Sequence, residues 1–190
     1  MGDLLWYWRY ISRTSYLGYD SMTPETPDTE QVLEIFKGTM ASLASGVAVV
    51  TGLDSQLRPC GLTVTSIASY SAAPPSVIIC IDESAYSYDG LTQGEYFAVN
   101  LLTEKQADIA MLFASSERDK FARCPCRVGP NQLFLIEDTL AVLICQRAFT
   151  ATYGDHAVVI GEVVDGGVED HFPLVYWKRD FHSVGRSLGS

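Results

Sequence analysis

Two short runs carry the side chains best suited to chemistry. Thr63-Val64-Thr65-Ser66 places three hydroxyls in four residues. Hydroxyls and backbone N–H groups can hold a phosphate without a lysine, which suits an acidic chain meeting an anionic ligand. Taken alone, the run is explained better by the ordinary preference of β-strands for threonine. Gly154-Asp155-His156 lies where two strand-like segments meet. An imidazole there can stack on or hydrogen-bond a ligand and exchange a proton near neutral pH, or it can serve only as a turn residue. His171 and His182 are too dispersed to join it as metal ligands.

The five cysteines are Cys60, Cys80, Cys124, Cys126 and Cys145. Their odd number, with the apolar strand-like settings of Cys80 and Cys145, predicts reduced thiols rather than a disulfide frame. Cys124-Pro125-Cys126 is the only close pair, and no further ligands lie near it in sequence, so it reads as a loop and no metal site is expected. The chain has no G-x-G-x-x-G and no P-loop, which argues against a Rossmann domain or a phosphate-cradling loop.

The elements that must position these residues come from a chain of 190 residues, enough for one domain with a short appendage. Hydrophobic residues make up 47% and charged residues 19%, which supports a real core and argues against bulk disorder. The net charge is −10, with Lys and Arg scattered, so nucleic acid is not an expected partner. No apolar run is long enough to span a bilayer, and the first segment lacks signal-peptide features; no membrane partner and a cytoplasmic location are expected.

Residues 1–26 read as an N-terminal extension, crowded with aromatic side chains, that either precedes the domain or packs on a partner subunit; the domain itself is expected over 27–190. Leu33, Phe36, Met40 and Leu43 share one helical face, with Pro27 and Asp28 as start signals and Gly46 as a stop. Val47 to Thr51 and Gly61 to Tyr70 read as a hairpin around the turn Asp54-Ser55-Gln56. Ser76 to Asp82 and Tyr96 to Leu102 read as buried strands, and Glu104 to Ser115 as a second helix capped by Thr103. After an irregular stretch from 116 to 138, strands are predicted over Thr139 to Thr152, Ala157 to Val164 and Leu174 to Lys178. Many strands and two clear helices predict a mainly β fold, an antiparallel barrel with peripheral helices.

In order along the chain stand Phe36-Lys37-Gly38-Thr39-Met40, Ser45-Gly46-Val47-Ala48-Val49-Val50-Thr51, Gly61-Leu62-Thr63-Val64-Thr65-Ser66, Pro74-Pro75 and Phe97-Ala98-Val99-Asn100-Leu101-Leu102. Gly154-Asp155-His156 leading into Gly161-Glu162-Val163, and then Pro173-Leu174-Val175-Tyr176-Trp177, complete the series. Over roughly residues 32 to 185 this order resembles the flavin reductase-like family, whose fold is the FMN-binding split barrel.

The resemblance implies an NAD(P)H:flavin oxidoreductase that passes hydride from NADH or NADPH to FMN, or to FAD, and supplies a separate flavin-dependent monooxygenase. It further implies a homodimer with the flavin near the subunit interface. Carried over by motif, Thr63, Val64, Thr65 and Ser66 would approach the phosphate and ribityl chain, and Ser45, Gly46, Val47, Ile81 and Asp82 would border the ring. Asn100, Leu102 and Phe121 would complete the pocket, and His156 would face the nicotinamide as the catalytic residue. An oxidoreductase that keeps its flavin and acts on an organic substrate, and a non-catalytic binder of flavin or another flat cofactor, are the other classes the sequence leaves open.

Overall fold

The structure, a computed structural model, describes residues 28–184. The expected N-terminal extension therefore lies outside the described residues. The described residues divide into two units, 28–40 and 41–184.

Helix α1 (Thr29–Ser42) follows the expected helical spacing, and Asp28 braces its start. The Glu30 N–H donates to Asp28 Oδ1 at 3.2 Å and the Val32 N–H to the Asp28 carbonyl at 3.0 Å. The helix stops at Ser42 rather than Gly46, because Ser45–Gly46 is used as a short strand, β1. None of its residues is buried, so Leu33, Phe36 and Met40 form an exposed apolar face.

The strands of the second unit are β2 (Ala48–Leu53), β3 (Pro59–Val64), β4 (Ile67–Ala72), β5 (Pro75–Asp82), β6 (Tyr96–Leu101), β7 (Cys126–Val128), β8 (Phe134–Ile136), β9 (Ala141–Tyr153), β10 (His156–Val168), β11 (Leu174–Trp177) and β12 (Asp180–Ser183). Two helices, α2 (Tyr88–Gln93) and α3 (Ala107–Ala114), lie among them. Seven strands form one sheet in the order β3-β2-β6-β9-β10-β5-β4, every neighbouring pair antiparallel. Strands β1-β11-β12 form a second sheet, and β7-β8 a hairpin.

The large sheet curls. Its two edges, β3 and β4, are consecutive in sequence and joined only by Thr65 and Ser66, yet they do not pair. Val64 from one edge and Ile79 and Ile81 from beside the other share one buried cluster with Ala48, Phe97 and Val159. The result is the expected mainly β, antiparallel fold, with a slit between the two edges. The stretch Gly61 to Tyr70, expected as one strand of a hairpin, is in fact two strands on opposite edges. Leu62 and Val64 pack on that cluster before the crossing and Ile67 after it, so the phase of the alternation slips by one residue at Thr65-Ser66, where one edge ends and the other begins. At Gly161 the Phe97 ring fills the space that a side chain would need: an added Cβ would meet Phe97 Cζ at 2.4 Å. Strand β10 carries a register shift there.

Helix α3 is shorter than the expected 104–115, and Thr103 does not cap it with its side chain. Instead the Gln106 side chain turns back, its Oε1 accepting from the Thr103 N–H at 3.0 Å, while its Nε2 donates to the Glu137 carbonyl at 2.8 Å. Ile109, Ala110 and Phe113 bury one face of α3 in a second cluster with Val47, Val49, Leu102 and Leu174. Helix α2 and strand β12 were not legible in the pattern, being six and four residues long.

Candidate functional site

Antiparallel register brings Val64, Thr65, Ser66, Asp82 and His156 to one end of the slit. The start of β2 lies beside the end of β3, Ala48 opposite Val64. The chain then crosses through Thr65 and Ser66 to β4, whose start lies beside the end of β5, Ile67 opposite Ile79. Ser66 is fixed there twice, its hydroxyl donating to the Cys80 carbonyl at 3.1 Å and its carbonyl accepting from the Cys80 N–H at 3.2 Å. Two residues further on, Asp82 stands opposite His156, the first residue of β10.

His156 follows a two-residue turn, Gly154-Asp155, with Tyr153 and His156 paired across it. Gly154 has φ 63°, the left-handed region that glycine enters without a steric penalty. The imidazole is exposed, and its Nδ1 lies 2.7 Å from Asp155 Oδ1. That hydrogen bond holds the Asp155 carboxyl below the usual carboxylate range. With Nδ1–H donating to the carboxylate, Nε2 is the outward nitrogen. The Asp82 carboxyl is also held low, by the Ser84 hydroxyl and by the Ser84 N–H, which is 2.8 Å from Oδ1.

The expected residues fall into two groups. Gly46, Thr65, Ser66, Asp82 and His156 are exposed, and Ser45 is half-buried. Thr65 has no side-chain partner among the described residues, whereas the Thr63 hydroxyl is committed, donating to the Ala110 carbonyl at 2.7 Å and tying β3 to α3. Val47, Val64, Ile81, Asn100 and Leu102 are buried, and Asn100 is fully enclosed. Asn100 Nδ2 donates to the Val49 carbonyl (3.0 Å) and to Thr51 Oγ1 (3.3 Å), and its Oδ1 accepts from the Ile136 N–H (3.0 Å). The carboxamide is thus consumed in joining β2, β6 and β8, which corrects its expected place on the pocket surface. Leu102 and Val47 are likewise used inside: the Leu102 N–H donates to the Val47 carbonyl at 3.0 Å, and the Val47 N–H to the Leu174 carbonyl at 3.1 Å. Phe121 is half-buried, edge-on to Phe113 and Phe134 at 5.2 and 5.3 Å between ring centroids.

Sequence reasoning passed over a cavity of about 480 Å³ that Thr63 shares with Tyr86, Ser115, Arg118 and Lys120. Lys120 is partly buried, donates to the Phe113 carbonyl at 2.9 Å and forms no ion pair among the described residues. Burial lowers its pKa. Arg118 is also without an ion pair among the described residues and sits 5.5 Å from the Tyr86 ring centroid. Glu117, the acidic residue of this wall, is bonded to Arg123. Two cations beside hydroxyls, neither in an ion pair among the described residues although Glu117 acts on Lys120 from a longer distance, fit a phosphate-bearing ligand. The signal available in sequence was the closeness of Ser115, Ser116, Arg118 and Lys120 after a helix in an otherwise acidic chain.

A curled antiparallel sheet with hydroxyls at its slit, and cations in the neighbouring cavity, defines a β-barrel-like domain for an anionic cofactor rather than a strand-turn-helix nucleotide fold. Residues 40–185 match the flavin reductase like domain, and the chain belongs to that family. It is 33% identical over 152 residues to the flavin reductase (NADH) of Kitasatospora aureofaciens, covering 78% of this chain and 80% of that protein. Over 153 residues it is 34% identical to the flavin-dependent monooxygenase reductase subunit HsaB of Mycobacterium tuberculosis (strain CDC 1551 / Oshkosh), covering 78% and 81%. The solved structure of the Streptomyces globisporus C-1027 NADH:FAD oxidoreductase SgcE6, in complex with NAD and FAD fragments, superposes with a TM-score of 0.78 at 27% identity, over 87% of this chain and all of that one. Two Rhizobium meliloti relatives, each 33% identical, are longer, and the chain spans 44% and 52% of them.

Proposed function

We propose that the chain is an NAD(P)H-dependent flavin reductase that supplies reduced flavin to a separate monooxygenase. The observation that carries this reading is the gathering of Thr65, Ser66, Asp82 and His156 at one end of the slit in a member of this family. A flavin held there would supply the hydride-accepting chemistry. Thr65 and Ser66 would hold its phosphate and ribityl oxygens, and Ser45, Gly46 and Asp82 would border its ring. Thr63 holds this edge through α3 rather than by offering a free hydroxyl. His156, steadied by Asp155, presents Nε2 toward the nicotinamide, and the protein's contribution is to stack and orient the two rings.

The resemblance implies FMN, or FAD, as the flavin, and NADH is the donor in the name of the Kitasatospora relative. The separate oxygenase is supported by relatives described as reductase subunits. A homodimer is supported by apolar side chains left exposed in the single chain, among them Phe36 and Met40 on α1 and Phe149 and Val168 on β9 and β10. No helix among the described residues is long and apolar enough to cross a membrane; a cytoplasmic site of action fits this reading. Oxidation of NADH and NADPH, followed with and without added FMN or FAD, tests it. Turnover that depends on free flavin is expected. A protein that keeps its flavin and ignores added flavin, or one that binds none, overturns the reductase.

A further inference from the structure

Cys124-Pro125-Cys126 takes no part in the site described above, yet the fold brings its two thiols together. Cys126 opens β7 and is paired with Ile136 of β8, while the Glu137 N–H donates to the Pro125 carbonyl at 3.0 Å. Proline also fixes its own φ, so the backbone between the thiols has little freedom left. From this frame the Cys126 thiol points back along the chain, its Sγ 3.0 Å from the Cys124 carbonyl oxygen and 3.8 Å from that of Phe121. At roughly 3.3–3.6 Å per residue, Cα atoms two apart cannot separate by more than about 7 Å, the outer edge of the span a disulfide accepts.

The two thiols differ in what surrounds them. Cys124 is 7% exposed and packs with Phe113, Ile136 and Leu174, and burial, reinforced by Cys126, pushes its thiol up to about 12. Cys126 is half-buried. Burial raises its thiol as well, but a side-chain hydrogen bond with Cys124 works the other way and favours the Cys126 thiolate. A reachable sulfur beside a sheltered second one is the arrangement in which a first oxidation is captured as a disulfide. Cys60 and Cys145 are buried in the other cluster, and all five cysteines are free thiols.

We propose that Cys124 and Cys126 form a site of reversible oxidation, at which a hydroperoxide converts the two thiols to one disulfide. With hydrogen peroxide, the Cys126 thiolate attacks one oxygen, so that an S–O bond forms as the O–O bond breaks. The departing hydroxide takes up the proton the thiol gave, and Cys126, oxidised by two electrons, is a sulfenic acid. Cys124 sulfur then attacks Cys126 sulfur, the S–O bond breaks, and the hydroxyl leaves as water with the Cys124 proton. Two thiols and one peroxide thus give one disulfide and two waters. The oxidant follows from the reductase reading, on which this part rests: oxygen takes two electrons and two protons from reduced flavin that is released and not used, and becomes hydrogen peroxide. The disulfide removes the Cys126 S–H from the Phe121 carbonyl, loosening the segment whose Lys120 and Arg118 line the cavity beside Thr63. Reduced flavin lost to oxygen thereby slows its own production.

Peroxide treatment of the reduced full chain, followed by mass spectrometry of non-reduced digests alkylated after unfolding, tests the site beside Cys124→Ser and Cys126→Ser. The unaltered chain is expected to lose two hydrogens and to show a Cys124–Cys126 link that dithiothreitol reverses, with Cys60, Cys80 and Cys145 still alkylated. In Cys124→Ser, Cys126 should stop at a sulfenic acid that dimedone captures; in Cys126→Ser, Cys124 should stay reduced at the same dose. No link under a large excess of peroxide would overturn the proposal, as would first oxidation at Cys80 or a link between two chains. The unaltered chain alone decides this, even where Cys124→Ser does not fold. Flavin-dependent NADH turnover should fall by at least about twofold on oxidation, recover with dithiothreitol and ignore peroxide in Cys126→Ser. A disulfide that forms without changing turnover would overturn the feedback. A chain that forms the disulfide but shows no flavin-dependent turnover in either state would remove the reductase reading and leave the oxidation site standing.

Discussion

Replacing Asn100 separates a brace inside the sheet from a group that touches ligand. In Asn100→Ala, the Ile136 N–H loses its only side-chain acceptor, in a residue that is 2% exposed. A buried donor left unpaired costs about 1–3 kcal/mol. The bonds to Val49 and Thr51 disappear as well, and a small void replaces the carboxamide. A total near 3 kcal/mol is expected. At roughly 2–4 °C per kcal/mol for a chain of this size, Tm should fall by about 6–12 °C. Asn100→Asp adds a sign that can be read. A carboxylate still accepts from Ile136 but turns a second acceptor toward the Val49 carbonyl, so its folded pKa should rise above the unfolded value near 4. Stability relative to the unaltered chain is then retained below that unfolded value and lost as pH rises through the folded one. Melting curves from pH 4.5 to 8, with flavin titrations at 15 °C where all variants are folded, check both. An Asn100→Ala protein with unchanged Tm and no flavin affinity would refute the brace and restore Asn100 to the pocket surface.

Thr65→Val should weaken flavin binding by at least about tenfold, since a hydrogen bond to a charged group is worth about 1.5–3 kcal/mol. Ser66→Ala should cost less in affinity and more in Tm, because its hydroxyl already donates to Cys80; equal flavin titrations in both variants and the unaltered chain would show that this crossing faces no ligand. His156→Ala should leave flavin affinity nearly unchanged and slow reduction by NADH about tenfold, roughly 1.4 kcal/mol, in stopped-flow measurements on a flavin-loaded, stably folded protein. A normal rate there removes His156 from the nicotinamide step. Burial pushes the Cys60 and Cys145 thiols up to about 12. Unfolded thiols ionise near 8.5, so the unfolded state loses protons first, and the stability these thiols contribute is present below pH 8.5 and declines as pH rises toward 12. The urea midpoint should fall from pH 8 to 10.5, and less steeply in Cys145→Ala; identical slopes would place that thiol in water.

The long strands were legible because their side-chain pattern is a direct record of burial. Ser76 to Asp82 reads as a continuous apolar run, and in the sheet β5 buries Val77, Ile79 and Ile81 on one face and half-buries Ile78 and Cys80 on the other. At the crossing of Thr65 and Ser66 the alternation slips by one residue, from Leu62 and Val64 to Ile67, a break short enough to be read as part of one strand. Asn100 illustrates a different limit. Its type suits a ligand contact and an interior hydrogen-bonding role equally, and only the placement of Val49, Thr51 and Ile136 around it decides between them. Arg118 and Lys120 were passed over because Glu117 and Asp119 alternate with them, so the segment reads as a solvated, charge-balanced loop. In the fold Glu117 is bonded to Arg123 while still acting on Lys120 from a longer distance.

The slit itself explains why the site lies where it does. In a closed sheet every backbone N–H and C=O is consumed by a neighbouring strand, and a ligand can be met only by side chains. Here β3 and β4 each keep one unpaired side, and the two-residue crossing between them prevents the chain from zipping the gap shut. Two edges exposed in this way would invite pairing with other chains, yet β3 is six residues long and is held by α3 through Thr63. The same arrangement suits a cofactor that must leave. Around the proposed ring site, hydroxyls and backbone stand beside the Asp82 and Asp155 carboxylates, and no ion pair among the described residues closes over the slit.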